Sequence, residues 1–590
     1  MTKKFLILIA FFIVSKGFLF AQTDDAAKIT KLEENYDRSG LTYLLLNFNN
    51  DRYADYLRNA SAKIVVPSKF DNNILSETYI SGSYYRDEHS QGVSNLSDTK
   101  SKIQEKLIES RLNYKLLEFW WGIHADGSYT ANTIQERGIY NATDFDVSKA
   151  DGSKIGRAQL GDAGEQLIGN SYIFVYDIKG IKTMTEIYDA QDAAAKAKAE
   201  KDKTEFKPVN RTKNGFKGEI VAYLYRLAYN DTIQAYFFES FSDESTIDID
   251  KFNTIYNNVS QPIKYVSYTT ASAEGTQMNA NPIQKTTQEL FDKLVNDGIS
   301  SAISSFEQSL EQFRVKTPIV NASPIKAKVG IKEGITTDRR FFVWEYIEKS
   351  NGETDAKRAG IVRSRYVHDN RNDELGNMGT TNFYQVSGGR IREGMILQER
   401  VDLGVSFAMG LMSYAEKTAF LMRMELSLSQ YLGYVINTPL TAFKFFGDVS
   451  FQSDKDREVN GVTDDFSYTH FTLGLNKEFY FARRFHFGFL AGGGVETASW
   501  KDTDDSEDID NSGHYSTIFA AVGGKFGVNI GKTKELVVTV MQNSPMGDVT
   551  KYDSEGELDP LFPAGVKWTD TNFFPERSGL GVDFTLRILF

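Results

Sequence analysis

The sequence predicts an exported chain in three parts: an α+β region, a small β unit, and an eight-stranded antiparallel transmembrane β-barrel. Three observations predict it. A basic pair and an apolar run open the chain. The last third alternates apolar and polar residues with a period of two. No other apolar stretch reaches the ~20 residues that a membrane helix needs. The 590 residues are 41% hydrophobic, 13% aromatic and 25% charged, too apolar for a disordered chain. There are no cysteines, which excludes disulfides, thiolate metal sites, a cysteine nucleophile and an N-terminal lipoprotein anchor. The net charge of −12, with no basic block, argues against nucleic acid as a partner.

Residues 1–21 read as a secretory signal. Lys3 and Lys4 form the basic start. Phe5–Phe20 is apolar apart from Ser15-Lys16-Gly17, and Ala21 before Gln22 is a plausible cleavage point. Residues 22–316 mix helical and strand patterns, as an α/β or α+β domain does. Leu41–Phe48 and Ser171–Ile178 are strand-like apolar runs. Asp98–Leu117 and Gln284–Phe313 have helical spacing, and Ala190–Lys203 reads as a charged, Ala-rich helix. Gly218–Tyr229 and Thr232–Phe241 read as a hairpin about Asn230-Asp231. The paired Trp120-Trp121 reads as core packing at a helix end.

Residues 317–400 read as a separate β unit. Its strands are Ile325–Val329, Arg340–Glu348, Arg358–His368, Thr381–Ser387 and Met395–Gln398, with turns at Glu333-Gly334 and Gly388-Gly389.

Residues 401–590 carry the barrel pattern. Strand one sets Val405, Phe407, Met409 and Leu411 against Ser406, Ala408 and Gly410. The others repeat the scheme: Phe420, Met422 and Met424 in strand two, Phe443, Phe445 and Phe451 in three, Phe471, Leu473 and Leu475 in four. Phe485, Phe487 and Phe489 mark strand five, Ile518, Val522 and Phe526 six, and Leu580, Val582 and Phe584 eight. Strand seven, Glu535–Gln542, is weaker. The inward set includes Asp402, Arg423, Glu425, Lys444, Asp448, Glu478, Glu496, Lys525, Asp583 and Arg587. An eight-stranded barrel is narrow enough for side chains to fill. Buried charges of both signs must pair there, so the favoured reading is a salt-bridged plug and the other a narrow polar conduit. Links alternate between short (Tyr431–Leu440, Phe481–Arg484, Gly531–Lys534) and long (Gln452–Asp465, Trp500–His514, Asn543–Arg577), as in outer-membrane barrels, although the first outer link, Ser413–Lys417, is short and breaks the trend. An even strand number puts both barrel ends, and residues 22–400, on the periplasmic side.

This last part resembles the eight-stranded OmpA-like and OmpX-like outer-membrane barrels. The terminal alternation Leu586, Ile588, Phe590 resembles the signal read by the barrel-insertion machinery, which the resemblance implies as a partner beside outer-membrane lipid. The element order of the region before it loosely resembles the periplasmic domains of the curli-secretion CsgG and flagellar T-protein groups. Gly389-Arg390-Ile391-Arg392-Glu393-Gly394-Met395 resembles the end of small SH3-like barrels, including the flagellar T-protein C-terminal domain.

The chemistry of an enzyme is sparse. The six histidines lie far apart, with no zinc spacing, Walker loop, dinucleotide fingerprint or nucleophile elbow. Neither metal nor cofactor is expected, and no catalytic residue. His514-Tyr515-Ser516 resembles the His/Ser placement of lipid A deacylases, but Thr517 stands where that family has Asn. The acidic loop Asp502, Asp504, Asp505, Glu507, Asp508, Asp510 lacks the EF-hand glycine. The sequence therefore points to a non-enzymatic outer-membrane protein whose periplasmic region binds or organises another envelope component, with a periplasmic protein as a partner. A small-solute channel and a lipid-modifying enzyme are the alternatives.

Overall fold

A computed structural model describes residues 39–589, apart from 68, 74, 83–95, 142–166, 207–212, 243–245, 259–261, 349–353, 374–378, 401, 415–416, 436–439, 460–461, 502–512, 554–557, 560–561 and 568–578. The signal, the acidic loop and Phe590 lie outside the described residues. No described helix is long and apolar enough to cross a membrane.

The first body is a mixed sheet of β1 (Gly40–Asn47), β2 (Asp71–Asn72), β3 (Tyr79–Ser81), β4 (Ser171–Thr183), β5 (Lys213–Leu227) and β6 (Ile263–Met278). The order is β2-β1-β4-β5-β6, with β3 also paired to β1. β1 lies parallel to β4, while β4, β5 and β6 are antiparallel. Every residue of β1 is buried, as expected of a strand covered on both faces. Leu44, Leu46, Val175 and Tyr223 pack against Leu112, Leu116 and Trp120 on one side. Leu45, Phe174, Tyr176 and Leu224 pack against Leu290, Leu294 and Phe306 on the other. Trp120 and Trp121 are both core residues.

Two local readings need correction. The segment after β5 is not a hairpin arm but the helix Asp231–Phe238. Asn230 caps it, its side chain accepting from the Ile233 N–H at 3.0 Å. An Asn-Asp pair serves a helix start as well as a tight turn, and β5 pairs with β6 instead. The long helix expected over Asp98–Leu117 is two helices, Leu96–Glu109 and Leu112–Trp121, broken where Arg111 takes a left-handed φ of 55°.

The helix Thr287–Ser309 begins with a capping box between Thr286 and Glu289 and lies across β5 and β6. Gly275 makes that approach possible, because a Cβ there would fall 2.0 Å from the Leu290 carbonyl oxygen.

The second body is built of β7 (Lys316–Ala322), β8 (Ile325–Ala327), β9 (Arg340–Glu348), β10 (Thr354–Tyr366), β11 (Thr381–Gly388) and β12 (Ile396–Glu399). They close into a six-stranded barrel, β10-β11-β8-β7-β12-β9 in order. Val315, Phe341, Val343, Val362, Phe383 and Leu397 fill it. β7 adds a strand to those the sequence predicts, since Pro318 lies within it and proline weakens a strand signal.

The third body is the C-terminal barrel. Its eight strands are β13 (Val405–Tyr414), β14 (Lys417–Ser427), β15 (Phe443–Val459), β16 (Val462–Phe481), β17 (Phe485–Lys501), β18 (Gly513–Asn529), β19 (Lys534–Pro545) and β21 (Gly579–Leu589). All neighbours are antiparallel, and β13 closes the circle on β21, from Ser406↔Leu589 to Tyr414↔Gly581. The short β20 (Thr550–Asp553) adds to β18 outside the circle. Much of the link expected over Gln452–Asp465 is strand, with pairing continuing to Val459↔Val462. The link after β14 carries a helix, Leu428–Val435.

Replacing Gly275 by Ala is expected to destabilise the first body by about 1–3 kcal/mol through forced separation of helix and sheet. Urea titration of the full chain, followed by protease cleavage within residues 39–314, measures it; an unchanged midpoint would contradict the close approach.

Candidate functional site: the barrel interior and its periplasmic junctions

Alternation decides which side chains enter the lumen. On the outer face Leu411, Phe489, Val522 and Phe584 are 57–63% exposed. On the inner face Arg423, Glu425, Asp448, Glu478, Lys525, Asp583 and Arg587 are at most 3% exposed. This polarity is inverted relative to a water-soluble barrel and stable only against hydrocarbon.

The interior is layered. At the end nearest the small barrel, Arg587 lies among Glu425, Glu478 and Glu535. Its Nη1 meets Glu425 at 2.8 Å and its Nε meets Glu535 at 2.6 Å, while a further bond ties it to Glu478. Lys525 reaches Glu425 at 2.7 Å and also pairs with Glu478. Lys444 bridges the same two carboxylates at 3.1 and 2.9 Å. Ser406 and Asn476 donate to Glu425, and Tyr480 donates to Glu478 at 2.7 Å. His486 sits on Arg587 and Glu535. Gly527 leaves room for the imidazole, since a Cβ there would meet it at 1.9 Å.

The next layer is Arg423, with two 2.7 Å bonds to Asp448, one of 3.0 Å to Asp583 and one of 2.9 Å to Thr539 Oγ1. Met412, Leu421 and Met541 pack together inside the barrel. His470 bonds Glu496 and Thr472 and stacks on Phe519. Toward the far end Phe466, Tyr468, Ala498, Tyr515 and Val549 form an apolar cluster with Phe562 against it. The lumen is thus occupied by paired charges, methionines and aromatic rings.

Asp402 needs correction. Strand phase predicts it inside the barrel, but it lies below, pairing with Arg363 and, at 3.4 Å, with Arg340 of the small barrel. Gly404, at φ +64°, breaks the phase between Asp402 and β13. Leu586 and Ile588 lie on the outer phase of β21, opposite buried Asp583, Thr585 and Arg587. Sequence reasoning puts His486 on the polar face of strand five but misses the pairing residues His470, Glu535 and Tyr480. Their signal is phase: each shares the inward parity of its strand, but strand seven is too weak to assign Glu535 a face.

The small barrel docks on the same near end. Asn529 donates to the Val386 carbonyl at 2.7 Å and Ser387 to that of Lys532 at 2.9 Å. Asp338 accepts from Tyr384 and from the Ala442 N–H at 2.7 Å, while Tyr384 lies against Tyr480. A second junction joins the first body to the small barrel. Lys69 holds Glu307 at 3.1 Å and Glu399 at 3.0 Å, and Arg339 bonds Glu399 at 2.6 Å. Burial would raise the Glu399 pKa, but Lys69 and Arg339 outweigh it and hold it at about 2.

His514 stacks on Tyr552, and Ser516 pairs in register with Thr550, so β20 lies alongside both. No group of three or more metal-binding side chains gathers among the described residues.

These features define an outer-membrane β-barrel protein with the domain-bearing end in the periplasm. In solved structures its barrel has likenesses. A major outer membrane protein from Thermus thermophilus matches at 10% identity and a TM-score of 0.22, over 32% of this chain and 99% of that one. Neisserial surface protein A matches at 12% and 0.19, over 32% and 94%. Ail, the attachment invasion locus protein of Yersinia pestis, solved with the heparin analogue sucrose octasulfate, matches at 11% and 0.17, over 31% and 94%. The membrane assignment rests on the inverted polarity and not on these likenesses. No family model and no curated protein matches the chain. The resemblance of the first two bodies to the curli-secretion and flagellar groups finds no support.

Two outcomes are expected. Arg587→Met leaves three buried carboxylates short of a partner, which costs about 3–5 kcal/mol. Heat-modifiable gel migration with urea unfolding in lipid vesicles measures it, and a wild-type midpoint would contradict the network. At the second junction Glu399, depressed from an ordinary 4.5 to about 2, stabilises as a carboxylate above about pH 4.5. That contribution fades as pH falls toward 2. Glu399→Gln should lower the melting temperature at pH 7, and the gap from wild type should close in acid.

Proposed function

We propose that this is a non-enzymatic outer-membrane protein in which the barrel is an anchor and the periplasmic region binds or organises another cell-envelope component. One observation carries the reading: a filled lumen is joined through two buried ionic and hydrogen-bonded junctions to a large soluble region. Ion pairs and aromatic rings across the lumen speak for an anchor over a solute path. The first two bodies offer a surface for recognition, held at a set height and orientation beneath the membrane. The partner is a periplasmic protein, and outer-membrane lipid and the barrel-insertion machinery serve the anchor.

Photo-crosslinking probes in the living cell, placed at the exposed Tyr79, Phe238 and Tyr268, are expected to give discrete high-mass adducts. Probes at the lipid-facing Phe489 and Phe584 should give none. Adducts from the barrel probes alone would sink the reading. Planar-bilayer recording of the purified protein should be silent, and steady single-channel conductance would favour the channel instead.

A further inference from the structure

The mixed sheet of the first body ends at β6, which pairs with β5 and, among the described residues, with no other strand. Backbone parity says which of its groups face outward. The Glu274 N–H donates to Asp297 Oδ2 at 2.9 Å, and the Thr276 carbonyl accepts from Lys293 Nζ at 2.8 Å. Asp297 and Lys293 both belong to the helix Thr287–Ser309, so neither backbone group is turned to β5. The register runs unbroken from Met278 to Ser267. Ser272, Thr270 and Tyr268 share the parity of Glu274 and also present their N–H and C=O groups away from β5.

This open stretch is bracketed. At one end Val266 drops out of the register as a bulge, which blunts an edge. At the other, Asp297 and Lys293 occupy the rungs at Glu274 and Thr276. The helix carries Lys293, Asp297, Ser301 and Ser305 at four-residue spacing, one stripe along the edge. Ser305 meets Thr269 Oγ1 at 2.7 Å. Ser301 comes between, and serine is too short to close the rung at Ser272 as Asp297 closes the next. From Ser267 to Ala273 the strand carries neither charge nor proline, the devices that usually protect an edge. Tyr268, 37% exposed, stacks on Tyr223 on the face away from that helix.

The window is too short for a second copy of β6. Antiparallel pairing about Thr270 would set Val266 and Lys264 of the other copy against Glu274 and Thr276, where Asp297 and Lys293 stand. A short strand fits instead, and charge gives its direction. Exposed Lys264 and Lys100, whose Nζ lies 5.0 Å from the Tyr265 ring centroid, mark the bulged end. Asp297 and Glu274 mark the other.

We propose that the edge Tyr268–Ser272 takes a short extended segment of the periplasmic partner protein as an added antiparallel strand, with a carboxylate at the C-terminal end of that segment beside Lys100 and Lys264. Main-chain hydrogen bonds to β6 hold it, and its side chains lie alternately by Tyr268 and by Ser301 and Ser305. The proposal deepens the reading above and rests on it for the source of the strand.

A short synthetic peptide of alternating valine and threonine, closing in aspartate and labelled with a fluorophore, tests it by anisotropy with the full-length protein in neutral detergent. The peptide should bind. Methylating alternate backbone nitrogens should weaken it about tenfold in one phase, the scale of one or two hydrogen bonds, and little in the other. Lysine in place of the aspartate should weaken it as well. Thr270→Pro removes an edge N–H that β5 does not use, and Ser301→Glu extends the closing stripe by one rung. Each should cost about tenfold or more in protein that keeps the wild-type protease pattern. No binding overturns the proposal. So does equal loss from methylation in the two phases, or unchanged binding by either folded variant. Self-association of the wild type that Ser301→Glu removes would give the edge to a second copy and overturn it too. Should the proline variant lose its fold, Ser301→Glu alone decides. Failure of the reading above looks different in the cell: no adducts from Tyr79, Phe238 or Tyr268. An edge that takes no strand leaves adducts at Tyr79 or Phe238 and none at Tyr268.

Discussion

A guanidinium enclosed by lipid-facing strands must bring its counter-charges with it. Arg587 lies on the last strand, and its partners Glu425, Glu478 and Glu535 lie on β14, β16 and β19. Satisfying one residue therefore requires four strands to be in register at once. A slip of one residue would turn every charge outward into hydrocarbon, at a cost no surface rearrangement could offset. Lys444 and Lys525 repeat the demand from β15 and β18. The network is weak evidence for stability as such, because removing charges from water is expensive. Its value lies in selecting one closed register.

That register also sets the floor on which the small barrel sits. Tyr480 donates to Glu478 within the lumen and lies against Tyr384 below it. Tyr384 donates to Asp338, which in turn accepts from the backbone of Ala442 at the barrel rim. Polar contacts thus pass from membrane interior to periplasmic domain. Lys69, Glu399 and Arg339 continue them into the mixed sheet. Relative domain motion is the usual expectation for linked domains. Buried, directional contacts at both junctions work against it here.

The barrel is legible in the sequence because its signal is periodic and local. Inward parity picks out Arg423, Glu425 and Asp583 without any knowledge of their partners. Which acid meets which base is not legible, since Arg587 and Glu425 lie 162 positions apart and only closure brings them together. Parity fails where the backbone leaves the strand: Asp402 keeps the even count, but Gly404 turns it downward. Asn230 shows the other kind of miss. Its residue type fits two local structures, and the choice is made by β6, which takes the pairing edge of β5.

The membrane strands are unequal. β15, β16, β17 and β18 run for 17–20 residues, while β13, β14, β19 and β21 run for 10–12. About ten residues cross the hydrocarbon, so the long set rises roughly 15 Å above the lipid on the outer side. The seam where β13 meets β21 lies in the low half. The strands therefore end at two heights on the outer side. A molecule drifting in the outer leaflet meets tall strands from one bearing and short ones from the other.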